Sequence, residues 1–225
     1  MTKIIVGKNN SKKDVITQKA SGLFRKKGFA ATSMRDIAGA IGIEAPSLYN
    51  HIDSKNEILK DICFRIARLF TGYLREVELS TQSSLLKIEN IIRFHISMMI
   101  EEYESVYIAD HEWKHLPEPF LSDFKVQRRN YRSRLSAILQ IGIDNKEIWD
   151  IDPNIAVLTI LSAIGGIESW QRSGKKMDAK LLEENMVAFL VEGLRYHPVP
   201  TKSIQATAKH SGSYKKLNIS KNKKS

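Results

Sequence analysis

His111, Glu112 and His115 stand in the order His-Glu-x-x-His. On a continuous helix this spacing puts two imidazoles on one face, where they ligate zinc while the carboxylate acts as a general base. The chemistry would be metal-assisted hydrolysis. The neighbouring residues argue against it. Leu116-Pro117 follows at once, so the helix that should carry both histidines cannot continue. No third ligand stands at the spacing His-x2-Gly-x2-His. The single cysteine, Cys63, lies at helical spacing among apolar residues and reads as a buried, reduced thiol. The expectation is therefore a chain that is not an enzyme, holds no metal and needs no cofactor. A zinc hydrolase using His111, Glu112 and His115 is the alternative.

A second group can act without covalent chemistry. Ser33, Arg35, Ala45, Ser47, Tyr49, Asn50, His51 and Lys55 combine hydroxyl, guanidinium, amide, imidazole and ammonium groups with one small apolar residue. Such groups meet phosphates and base edges. They lie in a basic segment, since residues 1–60 hold eleven Lys and Arg against five Asp and Glu. The elements that must position them can be read from the apolar pattern. Ile16, Ala20, Leu23 and Phe24 predict a first helix over 12–27, closed by Gly28 in a left-handed conformation. Ser33 is the expected N-cap of a second helix whose apolar face is Ile37, Ala38 and Ile41. Gly42 supplies a tight turn. Pro46 opens a third helix, with Leu48 and Ile52 facing inward and Ser47, Tyr49, Asn50 and His51 around the outside. Ser54 with Glu57 predicts a capping box for a fourth helix through Ile58, Leu59, Ile62, Ile66 and Leu69. Two short helices around a glycine turn form a helix-turn-helix, whose second helix enters the major groove of duplex DNA.

The ordered set Ile16, Ala20, Leu23-Phe24, Gly28-Phe29, Thr32-Ser33, Ile37-Ala38, Gly42-Ile43, Leu48-Tyr49, Ile52, Lys55 and Leu59 resembles the DNA-binding domain of tetracycline-repressor-type (TetR family) transcriptional regulators. The likeness covers about residues 12–60. It departs at Ile52, where the family usually has Phe, and at Glu44, where Ser or Thr is common. The resemblance implies an all-α protein. An N-terminal three-helix DNA-binding domain would precede a C-terminal helical ligand-binding and dimerisation domain. It also implies a repressor that binds a palindromic double-stranded DNA operator as a homodimer and is released by a small molecule. Ser33 and Arg35 would then reach phosphates, and Ala45, Ser47 and Asn50 would approach base edges. Tyr49, His51 and Lys55 would hold the backbone on either side.

The rest of the chain fits a larger helical body. Apolar residues recur at helical spacing and strand-like alternation is absent, so about nine helices are expected. The expected domains are 10–56 for DNA binding, 57–200 for ligand binding and dimerisation, and 201–225 as a basic tail without fixed structure. Charge is unevenly placed: residues 61–201 carry a net −3 and residues 202–225 carry seven Lys and no acid. No stretch approaches eighteen uninterrupted apolar residues, and the apolar run within residues 1–7 is too short for a signal peptide. A cytoplasmic protein without membrane partners is expected. Ala156, Ala163, Gly165, Gly166 and Ala188 give the helices around 155–173 and 181–195 small-residue faces suited to a two-fold contact.

Effector residues are sought among polar-tipped or aromatic side chains on these apolar helices: His95, Trp113, Arg128, Tyr131, Arg132 and Trp170, with Tyr107, Phe94, Met98, Phe124 and Gln127 beside them. The run Tyr107, Leu116-Pro117-Glu118, Arg129, Tyr131, Leu139, Gly142, Ile164-Gly165-Gly166, Trp170, Gly174 and Glu192-Gly193-Leu194 resembles regulators of fatty-acid, phenylacetate or sterol breakdown within the same family. Those respond to acyl-coenzyme A thioesters. The resemblance implies control of fatty-acid or aromatic-acid catabolism, with Arg128, Arg129, Arg132 and Arg134 as candidates for the coenzyme's phosphates. A family member that binds DNA without a ligand is the rival reading.

Overall fold

The computed structural model describes residues 11–172 and 178–197; the tail expected to lack fixed structure, like Gly174, lies outside them. The regular elements among the described residues are all helices, with one isolated β-bridge between Ile148 and Arg195. The first three helices form a small head: α1 (Lys12–Lys27), α2 (Met34–Ile41) and α3 (Ala45–Tyr49). Each of the first two starts at a reciprocal cap. The Ser11 hydroxyl accepts from the Asp14 N–H while the Asp14 carboxylate accepts from the Ser11 N–H, and Ser33 and Asp36 repeat the arrangement. Two glycines make the turns. Gly42 is left-handed (φ 81°, ψ 32°), while Gly28 has φ 84° with an extended ψ of 151°, a region that L side chains rarely enter. Gly28 thus ends α1 as expected but is not in the left-handed helical well.

Ile16, Ala20, Phe24, Phe29, Ile37, Ala38, Leu48 and Ile52 are all buried and form the head's core. Phe24 and Phe29 meet edge to face at 5.0 Å. Burying eight such side chains in about forty residues is enough to fix the angle between α2 and α3.

α4 (Lys55–Leu79) is the spine. Its 25 residues run about 37 Å from the head to the opposite pole. Ser54 caps it by accepting from the Glu57 N–H. The Glu57 carboxylate does not close the expected capping box; it takes the Asp53 N–H at 2.8 Å and the Lys13 ammonium at 2.8 Å. The body adds α5 (Ser84–Glu101), α6 (Tyr103–His111), a 3-10 turn (Trp113–His115), α7 (Phe120–Asp144), α8 (Pro153–Gly165), α9 (Ile167–Arg172) and α10 (Ala179–Glu192). α8 and α9 are one run interrupted at Gly166; counted together, the described residues contain nine helices. Ile88, Ile92, Ile96, Leu135, Leu139 and Ile160 fill the space between α5, α7 and α8. Cys63 is fully buried on α4, and desolvation pushes its thiol up to about 12, as expected of an inert side chain. No helix among the described residues is long and apolar enough to cross a membrane.

Head and body are tied through α1 and α6. Arg25 pairs with Glu104 at 3.4 Å and lies over the Tyr103 ring, and Phe29 stacks on His115 with centroids 5.4 Å apart. At the far pole, Trp149 donates its ring N–H to the Gly193 carbonyl at 2.8 Å, beside the Ile148–Arg195 bridge.

Candidate DNA-reading surface and effector cavity

The head presents α3 and its C-terminal turn to solvent. Leu48 and Ile52 anchor the inner side with no more than 1% exposure. That anchoring leaves Arg35, Tyr49, Asn50 and His51 exposed, with Ala45 and Ser47 half-buried between them. These six lie on or beside α2 and α3, the elements a helix-turn-helix lays against a groove. Glu44, the N-cap of α3, makes no side-chain cap bond and stands exposed.

Two of the sequence-derived residues are already engaged. The Ser33 hydroxyl donates to Asp36 Oδ2 at 2.6 Å and accepts from the Asp36 N–H at 3.1 Å, so it positions the start of α2. Lys27 at 2.8 Å, with Ser33, holds the Asp36 carboxyl well below the usual carboxylate range. Lys55 is the second. Its ammonium donates to the carbonyls of Phe29 (2.9 Å), Ala30 (3.1 Å) and Thr32 (3.0 Å), and lies 4.6 Å from the Phe29 ring centroid. An ammonium has three N–H donors, and all three face into the loop between α1 and α2. Lys55 therefore holds that loop. Spacing along the chain could not show this, because the partners lie 23 to 26 residues away.

In the body, α4 to α8 enclose a cavity of about 700 Å³. Ile66, Phe70, Met99, Val106, Phe124 and Leu161 give it apolar walls. Arg128, Arg129 and Arg132 on α7 stand along one side, with Ser133 and Ser136 beyond them. Arg129 and Arg132 are exposed, while Arg128 is half-buried, donates to Asp110 at 2.8 Å and spans the Trp113 and Phe124 rings. Within the walls, His95 Nε2 and Tyr131 Oη lie 2.7 Å apart, and the His95 ring stacks on Phe70 at 4.4 Å. Desolvation lowers His95 to about 3 and raises Tyr131, so both are neutral near pH 7.

His95, Arg128, Tyr131 and Arg132 thus share one cavity with Phe124 and Gln127. Trp113 and Trp170 are not among the residues that line it. Trp113 lies in the 3-10 turn, behind Phe124 and under Arg128, because α6 ends before it could turn inward. Trp170 lies on α9, packed against the body core. Phe94 stacks on Tyr73 at 4.1 Å in the core, and Arg134 grips Glu78 with two guanidinium nitrogens, away from the lining. His111, Glu112 and His115 do not share a helical face. His111 ends α6 against Tyr107 and Glu168, and His115 sits in the 3-10 turn on Phe29. Among the described residues no three His, Cys, Asp or Glu side chains converge on a metal-sized point.

A helix-turn-helix head joined by one long helix to a helical body with a cavity defines a ligand-binding transcriptional regulator as a structural class. The particular family follows from comparison. A family model described as "Bacterial regulatory proteins, tetR family" matches residues 16–62, and one described as "Tetracyclin repressor-like, C-terminal domain" matches residues 81–194. The chain belongs to the TetR family of transcriptional regulators, a family of DNA-binding proteins and not of enzymes. Among its relatives is the HTH-type transcriptional repressor KstR2 of Rhodococcus jostii, 27% identical over 180 residues, covering 78% of this chain and 87% of the relative. The solved ketosteroid transcriptional regulator KstR2 of Mycobacterium tuberculosis superposes with a TM-score of 0.78 at 23% identity, covering 85% of this chain and 98% of the other. AibR, solved in complex with isovaleryl coenzyme A and operator DNA, gives a TM-score of 0.71 at 21% identity, covering 80% of this chain and 98% of that one.

Proposed function

We propose that this regulator is a cytoplasmic, two-fold dimeric repressor that an acyl-coenzyme A thioester releases from a palindromic operator. The single observation that carries the effector reading is the cavity, in which an apolar chamber is bordered on one side by Arg128, Arg129 and Arg132. An acyl chain fits the chamber, and guanidinium groups suit phosphates through paired hydrogen bonds. The names of the relatives agree with it: KstR2 is a repressor, and AibR binds a coenzyme A thioester together with operator DNA. Residues 10–56 read DNA and residues 57–200 bind ligand and dimerise. Arg35 meets phosphate, Ala45, Ser47 and Asn50 approach base edges, and Tyr49 and His51 flank them.

Dimerisation is supported by exposed apolar side chains on two helices. Leu158 on α8 is 63% exposed and Phe189 on α10 is 82% exposed, with Ile155 and Leu181 beside them. A two-fold contact buries such a face against its own copy. Ligand acts by population shift: it favours a spacing of the two heads that no longer matches successive major grooves. No residue needs to make or break a covalent bond.

The test is calorimetry with a panel of aliphatic and aromatic coenzyme A esters at up to ~1 mM, alongside operator binding. A dissociation constant at that limit is only about −4 kcal/mol, so a weak effector registers. Binding of at least one ester together with a fall in operator affinity is expected. No heat from any ester, with DNA binding intact, removes the effector reading and leaves the DNA-reading one.

A further inference from the structure

We propose that His95 and Tyr131 form a polar reading point within the cavity, selecting thioesters whose acyl part carries a carbonyl or hydroxyl oxygen. The proposal rests on the effector reading above and narrows it. The two side chains come from different helices, α5 and α7, and meet at 2.7 Å among apolar walls, with the imidazole flat on Phe70. Two apolar residues would fill that space with no desolvation cost, so packing alone does not call for a hydrogen-bonded pair there.

The pair retains capacity for a ligand. When His95 Nε2–H donates to the phenol oxygen, the Tyr131 O–H is left to donate to a third group. When the phenol donates to Nε2, its oxygen keeps an accepting lone pair. An incoming carbonyl oxygen selects the first arrangement, and an incoming hydroxyl can use either. Burial keeps both groups neutral, so the point suits a neutral oxygen rather than a carboxylate. The charged residues lining the cavity are Arg128, Arg129, Arg132 and Asp110, and the Arg134–Glu78 ion pair acts on Tyr131 from outside the lining. The cavity therefore separates two tasks. The arginines take the anionic end that every coenzyme A ester shares, and His95 with Tyr131 reads the part that differs between esters. A site built to bond a ligand oxygen disfavours an analogue that lacks it, because its own polar groups are then left unpaired.

The experiment uses the full-length chain and four probes: decanoyl-coenzyme A and its 5-oxo, 7-oxo and 9-oxo analogues, which place a carbonyl at successive depths. At least one oxo ester should bind about tenfold more tightly than decanoyl-coenzyme A, the worth of about one neutral hydrogen bond. Tyr131→Phe and His95→Phe, both of which keep a ring in place, should each erase that preference, read as the ratio of oxo-ester to decanoyl-coenzyme A affinity within each variant. Equal affinity for all four esters, or a preference that survives Tyr131→Phe, overturns the reading point and leaves the effector class standing. No binding of any ester overturns both.

Discussion

Lys55 shows how far one side chain's role depends on what folds around it. It is basic, it follows the recognition helix, and the family resemblance implies a place for it on the DNA backbone. In the folded head its ammonium joins the carbonyls of Phe29, Ala30 and Thr32, which would otherwise be acceptors at a turn without helical partners. Lys55→Ala should lower stability by about 1–3 kcal/mol, the worth of charge-assisted bonds to carbonyls. It should also weaken operator binding by loosening the α1–α2 loop. The slope of log affinity against log salt should not change, since no phosphate contact is lost. A slope reduced by about one, with unchanged melting, would return Lys55 to the backbone. Asn50 is the opposite case, exposed and on the outer side of the recognition turn. Asn50→Ala should relax preference at particular base pairs by roughly 1–3 kcal/mol, read by binding to an operator library. Uniform weakening on all sequences would deny it a base contact.

Among the elements, α8 and α10 each leave two large apolar side chains outside, Ile155 with Leu158 and Leu181 with Phe189. Phe189 is the clearest: at 82% exposure it adds little to the fold of one copy. Phe189→Asp should leave the monomer's helical content unchanged. It should cost the dimer about 3–5 kcal/mol, by burying a charge without a partner at the two-fold contact. Light scattering should find the variant monomeric where the unmodified protein is dimeric, and a monomeric unmodified protein would refute the assignment. α6 shows why an element's end can decide a site. It stops at His111, which separates that residue from His115 and turns Trp113 behind Phe124 instead of into the cavity.

The whole molecule is a head and a body on one spine, and its stability is linked to pH through the cavity. Burial in the cavity wall lowers His95 from 6.5 to about 3 in the fold. Between those values the unfolded chain binds a proton that the native chain does not, so stability is full above about 6.5 and falls as pH drops toward 3. Asp36 and Glu57, both held below the usual carboxylate range, withdraw their contributions only at lower pH. The melting temperature should therefore fall from pH 7.5 to pH 5, and fall less in His95→Phe. Equal slopes in the two proteins would show that His95 is not neutral in the fold.

Much of this architecture was legible in the sequence, because it rests on local and periodic signals. Ile16, Ala20 and Phe24 mark α1 to the residue, Ser33 caps α2, Gly42 makes the turn, and Leu48 and Ile52 point inward, since helical periodicity and capping act over three or four residues. The outer residues of the recognition turn followed from what the apolar face left over. Tertiary structure alone decided which polar groups meet. Lys55 finds its carbonyls 23 to 26 residues back, His95 finds Tyr131 36 residues on, and Phe29 finds His115 across the head–body contact. A periodic pattern states which face of a helix is buried. Which face it meets depends on how long helices cross, and those crossings are set by the packing of the whole core.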